Sequence, residues 1–358
     1  MFLAPQYGIY GVAYGVIIGA ALHLLIQLPL LRTVKFNYRA ILNFKDRGMR
    51  EIFSLMPSRI FGSAVIQVSA IINNSIAILV STSAVVIFRF AEQLQAFPVN
   101  LFGASIALAA LPTLSFEADE TDKANFKRTF LTSFHQMMFL VLPASVLLLV
   151  LRVPLVRLVF GAANFPWEAT VKTAYTLAFF SLSIFSQSLV YLLTRAFFAL
   201  KDTATPVKVN VFNILFSTGL SLFLVRGLGL GVWAVALSYS IAAGLDMLFL
   251  LYLLGRKIGG WEWKALLKPF VKISYSAIFM GIALYIPLKV LDQFVFDTTR
   301  TLPLIVLTGI ATTAGIVAYL FFTWLFRVEE IELLYKLARR LNLSPSDQKT
   351  VVVQNIEA

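Results

Sequence analysis

The sequence predicts an all-α polytopic membrane protein with about nine transmembrane helices. Three observations carry this reading. Hydrophobic residues make up 59% of the 358-residue chain, and the mean hydropathy is +0.83. Charged residues make up only 13%, against about 25% in a typical soluble domain. Apolar runs long enough to cross a hydrocarbon core of about 30 Å recur along the chain, and Lys and Arg concentrate in alternate loops between them.

Span A covers 9–31, where Gly11, Gly15 and Gly19 fall at every fourth position and form a small-residue ridge suited to close helix approach. Span B covers 53–80 and carries Pro57, Arg59, Gln67, Asn73 and Asn74. Span C covers 84–112. Its neighbourhood, Phe88 to Ser115, is the least anchor-like stretch of the chain, because Arg89, Glu92, Gln93, Gln95 and Asn100 lie in its first half and Pro98, Gly103 and Pro112 interrupt it. Span D covers 129–151 and contains His135, Gln136 and Pro143. The segment Val153–Gly161 is too short to cross and is predicted to lie at the interface. Spans E (170–199), F (206–225), G (230–254), H (268–291) and I (301–326) follow. The polar tail has a weak amphipathic stripe at Ile331, Leu334, Leu337 and Leu341, which predicts a surface helix, with disorder after Leu343.

The net charge of +12 would suggest nucleic acid in a soluble chain. Here it sorts by side. The A–B loop holds Arg32, Lys35, Arg39, Lys45, Arg47 and Arg50, and the G–H loop Arg256, Lys257, Lys264 and Lys268. The tail and the C–D and E–F loops add Arg327, Lys336, Arg339, Arg340, Lys123, Lys127, Arg128, Lys201 and Lys208. With simple alternation all of these share one side, while the other receives Arg152, Arg157, Arg226, Lys289 and Arg300. The first side is therefore predicted to be cytoplasmic, with the C-terminus inside and no nucleic-acid partner. Met1 leads straight into an apolar run with no basic n-region, so no signal peptide is expected. Nine spans then place the N-terminus outside, which predicts an odd number of further spans ahead of Met1.

A charged side chain near mid-bilayer costs about 2.5–3.5 kcal/mol on insertion scales, so such groups face a bundle interior or a watery cavity. Arg89, Glu92 and Gln93 share a helical face through their i, i+3 and i, i+4 spacings, and with Asn100 and Arg59 they are the candidate substrate contacts of a cavity. The alternative is that Arg89 pairs locally with Glu92 and snorkels to the near surface, as Arg59 does at its own end. Asp246 is a lone carboxylate in span G. It is a candidate for ion or proton coupling, or for a bond to a neighbouring Ser or Tyr. Asn213 and Ser217, at i, i+4 in span F, and Asn73 in span B complete a candidate ion set; amides such as Asn73, Asn74 and Gln67 also serve as interhelical glue. His23 and His135 read as structural. In TRAFFALKDTATPVK, Asp202 or Thr203 is predicted to cap the next helix, with Pro206 in its first turn.

Cysteine is absent, which excludes disulfides and thiolate chemistry, and the two His lack metal-ligand spacing. No HExxH, Gly-rich phosphate loop or GxSxG elbow occurs, so the reading is a transporter with no catalytic residue, metal or cofactor.

Three motifs carry a family resemblance. FRFAEQLQAFPVNLFGASIALAALPTLS resembles the eighth span of the MurJ/MviN family, MPSRIFGSAVIQVSAIINN resembles its seventh, and AFFALKDTATPVKV resembles the turn between its tenth and eleventh. These are lipid II flippases of the multidrug/oligosaccharidyl-lipid/polysaccharide exporter superfamily. The resemblance implies fourteen spans in a full-length member, of which this chain matches the sixth to the fourteenth. Residues 1–50 would then be the last span of the first lobe with its linker, 51–255 the second six-helix lobe, 256–326 two C-terminal spans forming a lipid-tail groove, and 327–358 a cytoplasmic tail.

The resemblance also implies alternating access in a bacterial plasma membrane, moving undecaprenyl-pyrophosphoryl cargo from the inner to the outer leaflet. Where the family often has ADRLxEFP, this chain has AEQLQAFP. Glu92 keeps the first acid, Gln93 replaces the Arg and Ala96 the second acid, so Arg89 is expected to supply the cation. Alone, without the first lobe, the chain is not expected to flip lipid. The alternatives are a flippase for another undecaprenyl-linked glycan, a multidrug exporter and a non-transporting membrane scaffold, with an intramembrane enzyme last.

Overall fold

The computed structural model describes residues 8–33, 47–120, 122–161, 165–294 and 300–331, and its described residues form helices joined by short turns, without strands. Ten helices follow in order: α1 (Ile9–Thr33), α2 (Arg47–Val80), α3 (Ala84–Glu117), α4 (Ala124–Val150), α5 (Arg152–Phe160), α6 (Trp167–Ala199), α7 (Ala204–Gly227), α8 (Trp233–Lys257), α9 (Trp263–Phe294) and α10 (Thr301–Leu325). Seven, α3, α4 and α6 to α10, are long and apolar enough to cross a membrane. Among the described residues, α1 and α2 contain shorter apolar stretches, Ala13–Ile26 and Gln67–Val80. Every expected span thus falls on a helix. The segment expected to be too short to cross is the nine-residue α5. The surface helix and disorder expected of the tail lie outside the described residues.

The chain divides into two compact units, residues 1–61 and 62–358. The first holds α1 and the start of α2. Its Gly15 and Gly19 form an open ridge, with no described atom within 4 Å of where a Cβ would stand. In the second unit α6 is the central post. Its 33 residues extend about 50 Å at about 1.5 Å per residue, and it is the most buried of the spans. Helices α3, α4, α5 and α8 pack directly on it, α7 leans mainly on α8, and the α9–α10 pair lies along α4 and α5. The inner faces of α6 are rich in small hydroxyl residues. Thr173, Thr176 and Ser181 each donate to the carbonyl four residues back, at 2.8 Å, so they are satisfied within the helix and let neighbours approach closely.

The core forms two clusters. One gathers Phe130, Met137, Leu193, Phe197, Leu254 and Trp261, with the Phe130 and Trp261 rings 4.9 Å apart. The other joins Ile76, Ile87, Phe88, Phe180 and Val235, with Phe88 and Phe180 5.2 Å apart. Pro98 does not end α3. The following turn, Val99–Ala104, is a π-helix, a rare widening within an α-helix. The loosened Asn100 carbonyl accepts a hydrogen bond from Ser105 Oγ at 3.3 Å. Gly103 faces α6 here, and a Cβ added to it would stand 2.7 Å from Ser188 Oγ and 2.9 Å from Ser188 Cα.

One end of this unit is tied together by polar side chains. Thr129 donates to Glu117 at 2.9 Å, Lys201 to Asp119 at 2.9 Å and Lys257 to Asp202 at 2.7 Å. The expected cap is present at Asp202, whose Oδ1 accepts the Thr205 N–H at 3.0 Å and whose Oδ2 accepts the Thr205 hydroxyl at 2.7 Å. Thr203 occupies the N-cap position but makes no side-chain cap bond.

Candidate functional site

The polar groups predicted along span C differ in burial along α3. Arg89 Nη1 donates to Glu92 Oε2 at 2.9 Å, and both side chains are partly exposed. The local pairing raised as the alternative is therefore present. Gln93 and Asn100 are exposed, away from the lobe interior. Gln95, in contrast, turns inward and is 3% exposed. Its Oε1 accepts from Gln187 Nε2 at 2.7 Å, and the same nitrogen donates to Ser183 Oγ at 2.8 Å. Tyr239 completes the cluster by donating its hydroxyl to Gln187 Oε1 at 3.3 Å. Helices α3, α6 and α8 are thus joined through a buried amide pair. The sequence reading did not name Gln187, Ser183 or Tyr239 as site residues. The available signal was a lone Gln in the apolar run SLSIFSQSLVYLL.

A second polar locus lies between α7 and α8. Asn213 Nδ2 donates to Asp246 Oδ2 at 3.4 Å, so of the two readings of Asp246, ion or proton coupling and a bond to a neighbouring Ser or Tyr, the second is not seen and its partner is an amide of the candidate ion set. Ser217 and Ser221 follow at one and two turns along the same face of α7. Asp246 Oδ1, Asn213 Oδ1, Ser217 Oγ and Ser221 Oγ are buried and find no hydrogen-bond partner among the described residues. Orphaned buried oxygens are rare in native proteins, and the paired Asp246 carboxylate and Asn213 amide oxygen are of the kind that binds a hard cation or shares a proton. Asn73 is buried on α2, and its neighbour Asn74 has a buried Oδ1 without a partner among the described residues. The side chain of Arg59 lies outside the described residues. His135 faces the residues that follow α10, with Nδ1 3.8 Å from Glu330 Oε1.

A helical unit with seven helices long and apolar enough to cross a membrane, and with charged and amide groups joined across several of them, defines a polytopic membrane protein. Residues 1–327 match the family described as "Lipid II flippase MurJ", and the chain belongs to that family. A probable lipid II flippase MurJ of Haemophilus influenzae is 26% identical over 309 residues, covering 82% of this chain and 59% of that protein. The lipid II flippase MurJ of Burkholderia cenocepacia is 28% identical over 293 residues, covering 78% and 55%. A solved lipid II flippase MurJ in an inward closed conformation superposes with a TM-score of 0.69 at 22% identity, covering 91% of this chain and 63% of that one, and so shares its fold. The chain therefore spans little more than half the length of these curated relatives.

Proposed function

We propose that this chain is the C-terminal portion of a lipid II flippase of the bacterial plasma membrane, moving an undecaprenyl-pyrophosphoryl peptidoglycan precursor between leaflets by alternating access. The observation that carries this reading is the family match over residues 1–327. In this reading Arg89, Glu92, Gln93, Asn100 and Arg59 meet the cargo. The Arg89 guanidinium is suited to a pyrophosphate, and it stands one turn from the position where the family often has Arg. The orphaned oxygens of Asp246, Asn213 and Ser217, with Asn73, are the coupling-ion set. Residues 51–255 are the moving lobe, α9 and α10 offer the apolar surface for the lipid tail, and the C-terminus is cytoplasmic.

The test is complementation of a flippase-depleted bacterium. This chain alone should fail. Co-expressed with the first-lobe spans of a relative, it should restore growth and delivery of labelled precursor to the outer leaflet. Failure of the paired chains, with both inserted in the membrane, would favour a scaffold. Rescue of a different undecaprenyl-linked glycan instead would reassign the cargo.

A further inference from the structure

We propose that the corner formed by the start of α9 and the end of α10 is a binding site for the phosphate of an anionic phospholipid in the surrounding leaflet. A cavity of about 310 Å³ is lined there by Lys264, Lys268, Lys272, Arg327, His135 and Glu330, with Ala265, Pro269 and Val328 as apolar floor and Glu329 at its rim. The three lysines fall at i, i+4 and i+8, so one face of α9 presents them in line. Arg327 is brought over that face by a left-handed backbone turn, φ 51°, and its carbonyl is held by Lys272 Nζ at 3.2 Å. Glu330 Oε1 lies 3.8 Å from His135 within the same lining, so Lys264, Lys268, Lys272 and Arg327 face two carboxylates, Glu329 and Glu330, and the cavity keeps an excess of positive charge.

The depth of the cavity fits a headgroup. Trp263 opens α9 and Trp324 closes α10, and both are more than half exposed, as aromatic residues at a membrane–water interface are. The adjoining outward face of α9 carries exposed Leu267, Val271 and Ile278, a strip on which an acyl chain would lie below a phosphate held by the lysines. A cationic pocket at headgroup depth beside an apolar strip is complementary to a phospholipid with net negative charge. The site lies apart from Arg89, Gln95 and Asp246 and does not depend on the flippase reading.

Native mass spectrometry of the purified full chain, titrated with phosphatidylglycerol or phosphatidylcholine, tests it. Phosphatidylglycerol should be retained preferentially. At roughly fivefold per cation near an anionic surface, Lys264→Ala with Lys268→Ala should cut that retention by at least about tenfold. The matching Lys→Arg pair should keep it, which separates lost charge from misfolding. Lys123→Ala with Lys127→Ala, at the same end but outside the pocket, should change it little. Equal retention of the two lipids, or equal loss from the Lys123/Lys127 pair, would overturn the site. So would displacement of phosphatidylglycerol by inorganic phosphate at similar concentration, which would indicate a soluble anion. One-for-one displacement by undecaprenyl pyrophosphate would give the pocket to the cargo instead.

Discussion

Asp202 holds three donors with one carboxylate: the Thr205 N–H, the Thr205 hydroxyl and Lys257 Nζ. Partial burial alone would push this carboxyl up, but the Lys257 and Thr205 hydrogen bonds outweigh it and hold the group down at about 2, against an ordinary 3.8. A depressed folded value means that the stabilisation is complete above the unfolded value and is lost as pH falls through the folded one. After a discount for the partial exposure of Lys257, the effect is on the order of 1–2 kcal/mol. The melting gap between wild type and Asp202→Asn in detergent should therefore be constant near neutrality and should shrink as pH falls from about 4 toward about 2; an unchanged gap in that window would disprove the assignment. The Arg89–Glu92 pair behaves differently. It is partly exposed and spaced i, i+3, so it contributes only about 0.2–0.5 kcal/mol. Glu92→Gln should barely move the melting point. In the paired-chain complementation, Arg89→Ala should abolish rescue and Arg89→Lys should keep part of it, because Lys retains the charge without the bidentate fork. Full activity of both would remove Arg89 from the cargo route.

At the level of elements, the contact that sets the α3–α6 spacing is Gly103 against Ser188. The atoms that a Cβ at Gly103 would meet include the Ser188 Cα, which cannot rotate away, so Gly103→Ala must separate the two helices. Overpacking of this kind costs about 1–3 kcal/mol. Gly309→Ala, with nothing within 4 Å, should be neutral in the same thermal melt. Ser188→Gly should restore more of the Gly103→Ala loss than Ser188→Ala does, since only glycine removes the Cβ as well; equal rescue would place the strain at the hydroxyl alone. None of this was legible in the sequence, and the reason is physical. Hydropathy reports whether a run can sit in a bilayer, and it located every span from Ile9 to Leu325 within a few residues of its helix. It says nothing about azimuth. Gln95 and Gln187 are 92 residues apart, and only the packing of α3 on α6 turns them toward each other, whereas Gln93 on the same helix points out. Local spacing correctly joined Arg89 to Glu92 because three residues span one turn. The partner of Asp246, Asn213, lies on another helix, so local spacing could not join the two.

For the molecule as a whole, the two ends of the second unit differ in charge. Side-chain bonds gather Lys123, Lys201, Lys257 and Lys272 at the end where α3, α6, α8 and α10 finish. The opposite end has Arg152 bonded to the Leu149 carbonyl and Arg157 stacked over Trp167 at 5.6 Å. Basic loops are retained on the cytoplasmic face during insertion, so the first end should face the cytoplasm. The chain contains no cysteine, and single introduced thiols can therefore be read without background. Thr203→Cys in the α6–α7 turn and Gly260→Cys in the α8–α9 turn should resist a membrane-impermeant maleimide in intact spheroplasts and react after lysis. Gly229→Cys, between α7 and α8, and Arg300→Cys, before α10, should react in intact spheroplasts. The reverse pattern would invert the molecule and place the proposed lipid-phosphate pocket in the outer leaflet. Labelling of all four sites in intact spheroplasts would mean that α7, α8 and α9 do not cross in alternation, which would undo the charge argument.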